Sequence, residues 1–212
     1  MNFQTHPVTY TLIAMNALMH LLVIFTDHLS ILNINFMQYK LSLIPEIMRL
    51  HHEWWRFLSS IFVHSNFLHL LANMIALLIF GHIMEPVLGH KRYILIYLAG
   101  GLSANLVAYA YAVYFGPVHY MALGASGAVL AILGAALALF WIAAKNKSHG
   151  HRTAAQQMLR RMLVIVLLQV AADMINTQSS FIHHISGLIT GLILAIVLCK
   201  DQRTSFHTRY TR

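Results

Sequence analysis

Three polar clusters interrupt the apolar runs of this sequence, and their residue types fit one chemistry. Ser126 stands in Gly124-Ala125-Ser126-Gly127-Ala128, His184 opens a late apolar run, and His69 lies four residues before Asn73 in an early one. A serine hydroxyl is a poor nucleophile until a base takes its proton. Histidine is the side chain whose proton affinity suits that task near neutral pH. Residues four apart share one helix face, so His69 and Asn73 can aim two hydrogen-bond donors at one point, as a developing oxyanion requires. The backbone N–H of Ser126, at a helix start, would be a further donor. The set therefore points to acyl transfer by a Ser126–His184 dyad. Each member also has a plainer reading. A serine among small residues packs or bonds back to its own helix, and a His–Asn pair can join helices. His183 is a rival base.

The elements that must position these residues are membrane helices. Of 212 residues, 58% are hydrophobic and 9% charged, against about 25% charged in a soluble domain. The expected fold is all-α: a polytopic membrane bundle of six helices in a single domain spanning 1–212, with a basic cytoplasmic tail at 200–212. The net charge of +8 is concentrated in short loops and in that tail. Such a distribution fits orientation signals and contact with anionic lipid, with no nucleic-acid partner. Cys199 is the only cysteine and no HExxH occurs, so neither a disulfide, a metal nor a cofactor is expected. The first apolar run lacks a basic flank and a small-residue cleavage site, and is expected to be a retained helix.

A span needs about 20 apolar residues. The candidates are about 8–26, 66–84, 93–115, 126–144, 162–176 and 183–199. Asp27 to Ser60 mixes charges with Trp54, Trp55 and other apolar residues, which predicts a structured loop lying partly in the interface. Glu85-Pro86 and Gly89 close the second span, Gly116-Pro117 breaks the third from the fourth, and Lys145 to Arg161 reads as a basic loop.

Six spans put both termini on one side. With the termini inside, the inner segments carry Lys91, Arg92, Lys145, Lys147, Arg152, Arg160, Arg161, Lys200, Arg203, Arg209 and Arg212, and the outer ones only Lys40, Arg49 and Arg56. This bias predicts cytoplasmic termini in a cell (inner or plasma) membrane. The second, fourth and sixth spans then all begin outside. His69, Asn73, Ser126 and His184 fall within roughly 10 Å of the outer boundary at about 1.5 Å per residue.

Small residues predict that the three clusters also meet laterally. Gly127, Ala131 and Gly134 line one face of the fourth span, and Gly187 and Gly191 one face of the sixth. Such faces let helix backbones approach closely. His184 shares the stripe of Gly187 and Gly191, while His183 points about 100° away, which favours His184 as the base.

The residues just quoted resemble the rhomboid family of intramembrane serine proteases. Gly124 to Gly127 is similar to the family's nucleophile motif, and His184-Ile185-Ser186-Gly187-Leu188 with Gly191 to its histidine motif. His69 and Asn73 fall where the family's oxyanion residues lie. Trp55-Arg56 matches a signature of the first loop, and Gly81, Glu85 and Gly89 match the pattern that closes the second helix. The resemblance covers a core of about 54–198. It implies a six-helix bundle and a Ser–His dyad without a required acidic member, acting on membrane-protein substrates near their outer end. Two positions depart from the pattern: Leu130 where an aromatic residue often stacks on the histidine, and His183 where a small residue often stands.

Other polar residues have weaker readings. Asp173, 11 residues before His184, is a possible third member or a helix cap. Glu85 is expected to bond to loop backbone or to pair with Arg92, Gln169 to pack between helices, and Arg56 to shape the first loop. The short fifth helix and the turn Thr177 to Ile182 are candidates for the part that moves to admit substrate. Two other functions compete: a rhomboid-like protein that binds membrane clients without cutting them, and a small transporter or metal carrier, which would place its polar groups near the midplane.

Overall fold

The computed structural model describes residues 6–29, 36–116, 120–145, 149–175 and 180–199. Among them the secondary structure is helical, apart from one isolated antiparallel bridge between Leu43 and Ala122. The long helices are α1 (Pro7–Leu29), α5 (Phe67–Leu88), α6 (His90–Tyr114), α7 (Ser126–Ala144), α8 (His149–Ile175) and α9 (Ser180–Leu198). Between α1 and α5 lie three short helices, α2 (Phe36–Leu41), α3 (Pro45–His51) and α4 (Arg56–Ser59), and the 3₁₀ turn Ser60–Phe62.

The bundle is built around α7. Every residue of α7 from Gly127 to Phe140 is buried, with α5, α6, α8 and α9 packed against it. The outer surface is apolar instead: Leu18, Leu22 and Phe25 on α1, Leu71 and Ile75 on α5, and Ile189 and Ile193 on α9 are exposed. Thr9, Asn16, Asn73, Glu85, Asn105 and His183 are buried. Polar groups inside and aliphatic groups outside suit a bundle bathed in lipid, where polar groups must find protein partners.

Five described helices are long and apolar enough to cross a membrane: α1, α5, α6, α7 and α9. The fifth span of the sequence reading corresponds to α8, which differs from expectation. Most of the expected basic loop is helical, so α8 begins at His149 and carries Arg152, Arg160 and Arg161 in its first half. Charge does not oppose a helix that extends out of the membrane. The apolar part, 162–175, is shorter than the about 20 residues a span needs. Residues 177–179 of the turn expected to move, and the expected tail at 200–212, lie outside the described residues, while residues 180–182 open α9.

The second long helix also runs further than its sequence suggests, past Pro86 to Leu88. Proline has no N–H for the carbonyl four residues earlier. His6 Nε2 lies 3.2 Å from that carbonyl, on His82. Gly89, at φ 74°, then ends α5 with its N–H bonded to the Glu85 carbonyl.

Glu85 is fully buried and ties α5 to the start of α1. Its carboxylate accepts from the N–H of Val8 (2.9 Å), the N–H of Thr9 (2.8 Å) and the Thr9 hydroxyl (2.6 Å). These are first-turn groups of α1 that have no partner within their own helix. His90 Nδ1 approaches the same carboxylate at 2.7 Å. Of the two roles expected for Glu85, the bond to backbone is the one found, here as a cap on α1, and His90 rather than Arg92 approaches the carboxylate.

Arg56 organises the segment between α1 and α5. It is buried, and its guanidinium donates to the carbonyls of Tyr39 and Ser42, both at 2.7 Å, and to Glu53. Ser42 precedes Leu43, which exchanges backbone bonds of 2.9 and 3.0 Å with Ala122. Arg56 therefore holds the strand-like piece on which the chain entering α7 rests.

Candidate active site

The nucleophile candidate sits at the first turn of α7 because its loop is tied down on both sides. The Ala122–Leu43 bridge holds the approach, and the Gly124 N–H donates to the Ser60 carbonyl at 2.9 Å. Gly124 has φ 120°, which L side chains rarely adopt. A Cβ there would also fall 2.7 Å from Cε1 of His69. Glycine is needed at this point for its backbone angle and for the approach of the imidazole.

Packing of α7 on α9 brings Ser126 and His184 together. A Cβ on Gly187 would collide with the carbonyl oxygen of Gly127, one on Gly191 with that of Ala131, and one on Gly134 with that of Leu188. The two backbones are in direct contact at three levels. At the top of this seam His184 Nε2 lies 2.8 Å from Ser126 Oγ. Gly127 lies in this seam as its stripe suggests, and a Cβ there would meet the His183 ring of α9 and also the Cβ of Ala104 on α6.

His183 and His184 diverge. His183 is buried, with Nε2 3.0 Å from Oδ1 of Asn105 on α6. Asn105 donates onward to the Phe57 carbonyl (2.7 Å) and to the Ser60 hydroxyl (2.9 Å). The histidine that rivalled His184 as base thus links α9 to the loop beneath Gly124. Its ring stands edge-on to His184, with centroids 5.6 Å apart.

His69 and Asn73 share one face of α5. Asn66 caps this helix, its side chain accepting from the His69 N–H at 2.9 Å. His69 Nδ1 lies 3.1 Å from the Ser65 hydroxyl, and the ring is within electrostatic reach of His184. Asn73 is buried and donates to the His69 carbonyl at 2.9 Å. Its amide has a second N–H to offer. The structure thus brings His69 to the Gly124 loop and anchors Asn73 one turn deeper.

Two neighbours carry more than the sequence suggested. His64, just before α5, has Nε2 3.4 Å from the Ala125 N–H. Burial pushes its pKa down to about 3, aided by the nearby His69, so it is a neutral acceptor for the residue preceding Ser126. Gln169 on α8, expected only to pack, has its side-chain nitrogen 3.3 Å from His184 Nδ1.

The Rhomboid domain model matches residues 51–201. The chain belongs to the rhomboid family. Relatives of this rhomboid include YdcA of Bacillus subtilis (strain 168), 29% identical over 151 residues, which are 71% of this chain and 70% of that protein. Rhomboid protease GluP of the same organism is 33% identical over 157 residues, 74% of this chain but 28% of that protein. Rhomboid protease GlpG of Haemophilus influenzae is 27% identical over 154 residues, 72% of this chain and 74% of that protein.

Leu130, the departure from the aromatic pattern, lines a small crevice with Val166, Gln169, Phe181, His184 and Leu188. In this rhomboid the space beside the histidine is therefore bounded by aliphatic side chains, one aromatic ring and one amide. The side chain of Asp173 lies outside the described residues.

Proposed function

We propose that this rhomboid is an intramembrane serine endopeptidase acting through Ser126 and His184. The single observation that carries the reading is the 2.8 Å contact between Ser126 Oγ and His184 Nε2 across a glycine-lined seam. Ser126 attacks the scissile carbonyl while His184 takes its proton. His69, the free N–H of Asn73 and the Ser126 N–H stabilise the oxyanion. His184 then protonates the leaving amine, and water enters to release the acyl group. Arg56, Glu85 and Gly124, Gly127, Gly187 and Gly191 support this arrangement without touching substrate.

The substrate is a membrane protein with a segment that unwinds easily near its outer end. Peptide bonds of an intact helix in lipid are hydrogen-bonded and shielded. The termini face the cytoplasm of a cell whose plasma membrane holds the enzyme, and the dyad opens toward the outer leaflet; the loop-charge bias supports this orientation. The reading as a client-binding relative without activity is disfavoured by the presence and contact of both reacting groups.

The test is cleavage of a purified transmembrane substrate in proteoliposomes. Wild-type protein is expected to cut it and a Ser126→Ala variant to leave it intact. Equal cleavage by both would overturn the proposal.

A further inference from the structure

The Ser126–His184 contact leaves open which ring nitrogen carries the proton, and the neighbour of Nδ1 decides it. A general base must offer a bare Nε2 to the serine, so the neutral ring must hold its proton on Nδ1. A proton there needs an acceptor below the membrane surface, where an unpaired polar group is costly. Gln169, on α8, has its side-chain nitrogen 3.3 Å from Nδ1.

We propose that Gln169 is a positioning residue that sets the tautomer of His184; this rests on the protease reading above. An amide has two faces. With nitrogen toward the ring, as seen here, its N–H donates to Nδ1, the ring proton sits on Nε2, and Ser126 Oγ accepts it: a resting arrangement. With the amide turned by 180°, Oε1 accepts from Nδ1–H, and Nε2 is free to accept from Ser126 Oγ. When the serine attacks, its proton passes to Nε2. The resulting imidazolium keeps Nδ1–H on Oε1, and the same proton leaves from Nε2 to the departing amine. Leu130, Val166 and Leu188 line the small crevice that Gln169 and His184 share. The other titratable groups described near the ring are His183, held by Asn105, and His69.

The experiment compares wild type with Gln169→Leu and Gln169→Glu by substrate kinetics and by ¹⁵N-histidine NMR of the detergent-solubilised protein. Leucine should lower kcat about 100-fold, the low end of what a positioned proton carrier contributes, with KM and Tm nearly unchanged. Glutamate keeps an acceptor on Nδ1 and should restore most of the rate. The ¹⁵N shifts of His184 should change in the leucine variant, because they report which nitrogen is protonated. Unchanged kcat together with unchanged His184 shifts in Gln169→Leu would overturn the proposal. A wild type that does not cleave would sink the protease reading instead, and the ¹⁵N shifts would still decide the Gln169 contact.

Discussion

His183 Nε2 lies 3.0 Å from Asn105 Oδ1, and Asn105 donates in turn to the Phe57 carbonyl and the Ser60 hydroxyl. Ser60 also receives the Gly124 N–H. One buried chain of bonds thus runs from α9 through α6 to the loop that presents Ser126. A break anywhere along it should loosen the site without removing a reacting atom.

The two adjacent histidines should therefore behave differently. His184→Ala is expected to abolish cleavage while leaving the thermal midpoint near wild type. Asn105→Ala removes the partner of the buried His183 Nε2 and the side-chain donor to the Phe57 carbonyl and should cost about 1–3 kcal/mol. Below its lowered midpoint this variant should retain measurable cleavage. Thermal unfolding and cleavage rates of the two variants in detergent check both statements.

Gly187→Val and Gly191→Val should fail for packing reasons. Any Cβ at these positions meets a carbonyl of α7, so the helices must separate. Overpacking costs about 1–3 kcal/mol or more. A fall in thermal midpoint accompanied by lost activity is expected, whereas Ile189→Val, on the exposed face of α9, should change neither.

Arg56 should tolerate no replacement, including lysine. Its planar fork reaches two carbonyls and Glu53 at once, a geometry that one ammonium group does not reproduce. Breaking such a buried set costs about 3–5 kcal/mol. Arg56→Lys and Arg56→Ala should both lower the midpoint and expose 36–62 to proteolytic nicking.

His64 should make stability depend on pH. Its folded pKa of about 3 lies below its ordinary value of 6.5, so the unfolded chain binds more protons between those values. The contribution is complete above about pH 6.5 and is lost as pH falls from there toward 3. His64→Gln keeps an acceptor for the Ala125 N–H but does not titrate. Its thermal midpoint should fall less between pH 7 and pH 5 than that of wild type.

Much of this layout was legible because polar residues stand out against apolar helices. Ser126, His69 and His184 stand out near the starts of apolar runs, and Gly187 and Gly191 mark the face of α9 that meets α7. The roles of His183 and Glu85 were hidden because their partners are distant and unmarked by any spacing: Asn105 is 78 residues from His183, and Thr9 is 76 from Glu85. Gln169 gave no signal, since a lone amide in an apolar helix suits packing as well as a bond to a histidine. The length of α8 was missed because charge marks the end of an apolar run and not the end of a helix.

The most direct measurement of the central claim is the site of covalent labelling by a serine-directed fluorophosphonate, located by peptide mass spectrometry. The label should attach to Ser126, and His184→Ala should suppress it by about 100-fold or more, as removal of a general base requires. Labelling at another residue, or unchanged labelling of Ser126 in His184→Ala, would contradict the Ser126–His184 dyad.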